Sequence, residues 1–160
     1  MNVPRLPVPG LPIDQQPDDI LLAMLVWGEA RGESKEGRAG VAWVAKNRSV
    51  RRTRPIRSII LQPWQFSAFN ANDPNRDKML DPVAFGGQET WYECLAIATG
   101  VLDSTIPDPT GGATHYVVAS LWGVPTPPGH HVQWYHQFEI EVGHTVETTR
   151  IGNHVFAQAA

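Results

Sequence analysis

The chain has 160 residues, 42% hydrophobic and 18% charged, and a formal charge of −3. That length and apolar content suit one globular domain with a real core and exclude an intrinsically disordered chain. The weakly negative total gives no general attraction to nucleic acid or an anionic membrane, and a single cysteine, Cys94, excludes an intrachain disulfide.

Met1 to Pro17 carries five prolines and reads as an extended N-terminal arm ahead of one domain over residues 18–160. A secretion leader needs a basic start and an apolar stretch of about 7 to 15 residues, which this arm does not offer, so synthesis in the cytoplasm is expected. The longest apolar run, Ile20 to Trp27, is far below the roughly 20 residues that span a bilayer, and no integral membrane insertion is expected.

Asp18 or Asp19 offers an N-cap, and Ile20, Leu21, Met24, Leu25 and Gly28 follow at helical spacing until Gly32. Glu29 therefore falls in the last turn of an apolar helix. Ser34 caps a second helix with a stripe of small and apolar residues, Gly37, Gly40, Val41, Val44 and Ala45, suited to close packing. Pro55 to Leu61 reads as a short third helix, ended by Pro63 before an aromatic loop with Trp64, Phe66 and Phe69. Residues 71–87 read as loop. Trp91, Leu95, Ala98 and Leu102 predict a core helix over Gln88 to Leu102, with Cys94 as a buried thiol on it. Thr114 to Ala119 and the alternation of Phe138, Ile140 and Val142 favour strands, and Gly152-Asn153 suits a final hairpin. The expected fold class is α+β, a helical part followed by a small antiparallel β-sheet.

The segment Trp27-Gly28-Glu29-Ala30-Arg31-Gly32-Glu33 sets a carboxylate at a helix C-terminus, where the helix carbonyls disfavour its charged form. Desolvation by Trp27 and later aromatics would act in the same direction, as in the lysozyme general acid that is the standard worked example of this effect. The plain alternative is an ion pair with a nearby arginine. Two flanking glycines favour the chemical reading, because they permit close approach of backbone or substrate.

Gly-Glu-Ala-Arg-Gly-Glu at 28–33 with Gly37 to Arg48, then Gln-Pro-Trp-Gln-Phe-Ser at 62–67, Gly-Ala-Thr-His-Tyr at 112–116 and Ile-Gly-Asn-His-Val-Phe at 151–156 occur in this order. Together they resemble the spore-cortex-lytic and cell-wall hydrolase family typified by SleB, over about Asp18 to Phe156. The resemblance implies a lysozyme-like fold and cleavage of peptidoglycan between N-acetylmuramic acid and N-acetylglucosamine, with Glu29 as the catalytic residue. The partners implied are peptidoglycan glycan strands, with no nucleic acid. Unlike the spore enzymes, the chain is expected to have neither a leader nor a separate wall-binding domain, and Asn72 to Gly87 reads as an insertion. These departures suit a bacteriophage endolysin, a monomer that reaches the wall after holin-type release.

Glycoside cleavage commonly uses two carboxyls, and only Glu29 stands out; Glu33 and Glu36 read as stabilising the next helix start. One carboxyl suffices if the muramic acid C6 hydroxyl attacks the anomeric carbon, giving a 1,6-anhydro sugar. Family resemblance favours this lytic transglycosylase outcome over hydrolysis, which stays open. Gln65, Ser67 and Asn70 could hydrogen-bond the saccharide while Phe66 or Trp64 offers a ring face. Tyr116 and His115 complete the candidate substrate-binding set, with Tyr116 favoured in the groove because adjacent strand residues face opposite sides. His130, His131, His136, His144 and His154 lack metal-ligand spacing, so neither a metal nor another cofactor is expected. Nine of thirteen Lys and Arg lie between Arg31 and Arg57, and the run Lys46, Arg48, Arg51, Arg52, Arg54 and Arg57 reads as a solvated face suited to wall polyanions or lipopolysaccharide. A wall-binding module without catalysis is the non-enzyme alternative.

Overall fold

The structure, a computed structural model, describes residues 5–63, 65–123 and 145–159. Its centre is helix α1 (Asp18–Ala30). Asp18 and Asp19 lie inside the first turn, while the N-cap is Pro17 without a side-chain bond, so the expected aspartate cap is replaced by two carboxylates that favour the positive helix end. The predicted stripe is only part of what α1 buries, for every residue from Ile20 to Trp27 is fully buried. A helix apolar on all sides belongs in the middle of a core. Helices α2 (Lys35–Arg52), α3 (Ile56–Ile60) and α6 (Gln88–Leu102) all pack against it.

Ser34 caps α2 as expected, its Oγ accepting from the Gly37 N–H at 3.1 Å, and Thr53 ends the helix in the left-handed region. The stripe from Gly37 to Ala45 is buried. Residues 71–87 contain two one-turn helices, α4 (Asn75–Lys78) and α5 (Pro82–Gly86), where loop was expected. Elements this short have no periodicity to read; they form because Met79 and Pro82 bury against the domain. Helix α6 has the predicted limits and also buries Cys94, Ile97 and Val101. Burial pushes the Cys94 thiol up to about 11, so it behaves as a small apolar group.

Residues 5–17 fold onto the domain. Gln16, fully buried, accepts from the Val8 N–H at 2.8 Å and donates to the Val8 and Leu11 carbonyls, while the Trp91 indole donates to the Arg5 carbonyl at 2.8 Å.

The sheet has strands β1 (His115–Val118), β2 (Thr145–Ile151) and β3 (His154–Ala159) in the antiparallel order β1-β3-β2. The hairpin turns at Gly152-Asn153 as predicted, with Gly152 at φ 55°. Phe138, Ile140 and Val142 lie outside the described residues. Helices followed by a small antiparallel sheet give the expected lysozyme-like α+β arrangement. Sheet and helices meet at Gly40, where a Cβ would stand 2.7 Å from Phe156 Cζ, so only glycine admits the ring. No described helix is long and apolar enough to cross a membrane.

Candidate active site

Glu29 occupies the last turn of α1, half-buried, where the first strand and the aromatic loop converge. Its Oε1 accepts from the Ala68 backbone N–H at 2.8 Å and from Ser67 Oγ at 3.2 Å. The Tyr116 phenol faces it from β1, near enough for the Glu29 charge to act on it. Two donors from one loop thus fix the carboxyl group, and a phenol from the sheet faces it. The nearby arginines are engaged elsewhere: Arg31 stacks on Trp27 and bonds Asn75, and Arg38 bonds Glu93 and the Arg31 carbonyl. Among the described residues no ion pair involves Glu29, so the plain salt-bridge alternative does not describe it.

Gly28 makes this geometry possible. A Cβ there would stand 2.8 Å from both Ala68 Cβ and Met79 Sδ, so the glycine lets the loop approach until its amide reaches Glu29. A Cβ on Gly32 would meet nothing, and the close-approach argument therefore holds for one glycine of the two. We expect Gly28→Ala to destabilise the fold by about 1–3 kcal/mol through overpacking and to lower activity more than Gly32→Ala, as checked by thermal unfolding and turbidity assays on the two variants. The Trp27 indole is directed away from Glu29. The residue is fully buried with its indole against Gly86, roughly 200° around the helix from Glu29.

Arg48 connects the loop to the sheet from beneath. Only 5% exposed, it donates through Nε to the Thr114 carbonyl and through Nη1 to Gln65 Oε1 at 3.3 Å, and its guanidinium covers the Phe66 ring at 4.9 Å. Burial draws its pKa down to about 10, with Tyr116 opposing and Arg52 reinforcing the shift. Tyr116 is half-buried, and its phenol is pushed well above the usual range by desolvation first and by the Glu29 charge second.

The other candidates divide. Ser67 is exposed beside Glu29 with its hydroxyl on the carboxylate, Gln65 is half-buried on Arg48, and Asn70 follows the Ser67–Phe69 turn, half-buried. Phe66, expected to offer a ring face, is 2% exposed and packs into the core under Arg48; its face is already covered. Trp64 lies outside the described residues. His115 is buried on the opposite side of β1 from Tyr116, its Nδ1 2.9 Å from Thr114 Oγ1, and strand alternation keeps it from the carboxylate.

Burial, followed by the charges of Arg48, Arg52 and Arg51, draws the His115 pKa down to about 3. The folded state thus holds this imidazole neutral while the unfolded chain protonates it near its ordinary 6.5. Its contribution to stability is whole above that value and is lost as pH falls from about 6.5 toward 3. We expect a loss on the order of 2 kcal/mol at about pH 5, and a flatter acid limb for His115→Gln in urea denaturation across pH.

His154 and Glu33, given no part in catalysis by the sequence reading, stand beside the site. His154, weighed only as a metal ligand, packs edge-on to Tyr116 with ring centroids 5.3 Å apart, and its Nδ1 lies 3.5 Å from Glu33 Oε1. Its position two residues before Phe156, on the same strand face, was the available signal. Among the described residues no group of three His, Cys, Asp or Glu could hold a metal ion, and His130, His131, His136 and His144 lie outside them.

Comparison with known proteins gives the family and the fold. A family model described as Cell Wall Hydrolase matches residues 32–157, beginning just past Glu29, so the carboxylate's role rests on its own surroundings. The catalytic domain of the Bacillus cereus SleB protein superposes with a TM-score of 0.53 at 25% identity, covering 94% of each chain. The catalytic domain of the germination-specific lytic transglycosylase SleB from Bacillus anthracis gives a TM-score of 0.55 at 23% identity, covering 94% of this chain and 99% of that one. No match is found among curated protein sequences. With the family model spanning most of the chain and a SleB-like fold around a gripped carboxylate, the protein belongs to the cell wall hydrolase family and is a peptidoglycan-degrading enzyme.

Proposed function

We propose that the protein cleaves the bond between N-acetylmuramic acid and N-acetylglucosamine as a lytic transglycosylase, with Glu29 as its one acid and base. The observation that carries this reading is a single half-buried carboxyl held by Ser67 and Ala68 and faced by Tyr116, with no arginine upon it. In its acid form Glu29 protonates the glycosidic oxygen as the bond to the muramic acid C1 breaks. The resulting carboxylate then takes the proton of the C6 hydroxyl while O6 bonds to C1. Glu29 returns to its acid form, no water is consumed, and the product is the 1,6-anhydro sugar.

Ser67 and the Ala68 amide serve this cycle by holding the carboxyl in one orientation, which preserves the alignment between acid and leaving oxygen, and Tyr116 walls it from the sheet side. A water molecule in place of the C6 hydroxyl would give hydrolysis with the same residues. Mass spectrometry of digested peptidoglycan separates the outcomes: anhydro-muropeptides one water lighter than the reducing sugars are expected. Reducing ends alone would establish a muramidase, and undigested but decorated walls a binding module. The same proposal includes the setting of a phage endolysin, made in the host cytoplasm and released to the wall through a lesion. Lysis on co-expression with a hole-forming membrane protein, and none without it, is the result expected.

A further inference from the structure

We infer that His154, braced by Glu33, is a positioning residue that keeps the Tyr116 phenol facing Glu29. The inference rests on the proton-transfer role proposed for Glu29. A tyrosine is free to swing about its side-chain torsions, so the direction its hydroxyl takes depends on what walls the ring. Phe156, directly opposite on β3, forms one wall, with centroids 6.0 Å apart at 39°. His154 forms the second, meeting Tyr116 edge-on at 88°.

What holds His154 is unusual for a core ring. It is 7% exposed, and its Nδ1 has no hydrogen-bond partner, which costs free energy that a phenyl ring of similar shape would avoid. The atom that nitrogen faces is Glu33 Oε1, at 3.5 Å. Glu33's amide donates to the Ala30 carbonyl at 2.9 Å, and its other oxygen lies 2.9 Å from where a Cβ on Gly152 would stand. The carboxylate thus occupies the notch left by the hairpin glycine. Two carboxylates four residues apart at one helix end accordingly engage two rings of the sheet, Glu29 through Tyr116 and Glu33 through His154. This two-point clamp sets the sheet against α1 where the reacting carboxyl sits.

The test is a double-mutant cycle with a second readout independent of turnover. His154→Ala is expected to lower kcat on peptidoglycan about tenfold with KM within about twofold; in a Tyr116→Phe background, the same change should cost less than about twofold. Losses that multiply across the two backgrounds would overturn the inference. Independently, ultraviolet titration of the tyrosines should show one phenol ionising at lower pH in His154→Ala than in the parent, and Tyr116→Phe should remove that transition. An unchanged titration in folded His154→Ala also overturns it. If His154→Ala fails to unfold cooperatively, Glu33→Gln replaces it with the same expectations, and parental values in both readouts decide against the clamp. Should the parent release no anhydro-muropeptide while the phenol still shifts, the transglycosylase reading fails and the clamp stands.

Discussion

Glu29→Gln is expected to slow peptidoglycan solubilisation by about 10²–10⁴-fold while leaving the fold intact, because it removes a proton donor without removing volume. The amide oxygen of glutamine can still accept from the Ala68 N–H, and its NH₂ can turn toward Ser67 or Tyr116, so the stability change should stay within about 1 kcal/mol. The measurements are release of soluble muropeptides, and thermal unfolding of both proteins side by side. Wall pelleting adds a third comparison, since binding to intact sacculi should survive the substitution. A folded Glu29→Gln protein that solubilises walls at the parental rate would end the catalytic assignment.

The largest expected effect on stability comes from Phe156→Ala, at about 3–5 kcal/mol. Phe156 is fully buried and packs with Val44, Ala113 and Ile151, while its ring tip lies over Gly40. Truncation leaves a cavity at the junction between helix α2 and the sheet. A domain of this size has a total stability of about 5–15 kcal/mol, so the loss takes a large share of it, and urea denaturation will show it directly. Gly40→Ala should also destabilise, since its methyl would clash with the ring. Combined with Phe156→Ala, that methyl enters the vacated space, and the double variant should be more stable than the sum of the two losses predicts. Activity should fall with Phe156→Ala as well, for Tyr116 loses the ring opposite it.

Where periodicity was long and caps were present, sequence was sufficient: Ser34 and the small-residue stripe defined α2, and Trp91, Leu95 and Ala98 defined α6. Gly152-Asn153 likewise announced its hairpin, because a tight turn between strands calls for a residue tolerant of positive φ. Residues 71–87 misled because single helical turns carry no period, and their formation depends on what Met79 and Pro82 find to bury against.

The order of helices before sheet, the place of Glu29 at a helix end and the glycine beside it were determined by local chemistry that a sequence carries. Only the tertiary structure decided which groups meet Glu29, since Ser67, Ala68 and Tyr116 arrive from loops and strands tens of residues away. It also turned Phe66 and His115 into the interior and brought His154 to Tyr116 and Glu33. The physical reason is that residue type fixes what a side chain can do, whereas its partners follow from how apolar faces pack, and that packing is a property of the whole chain.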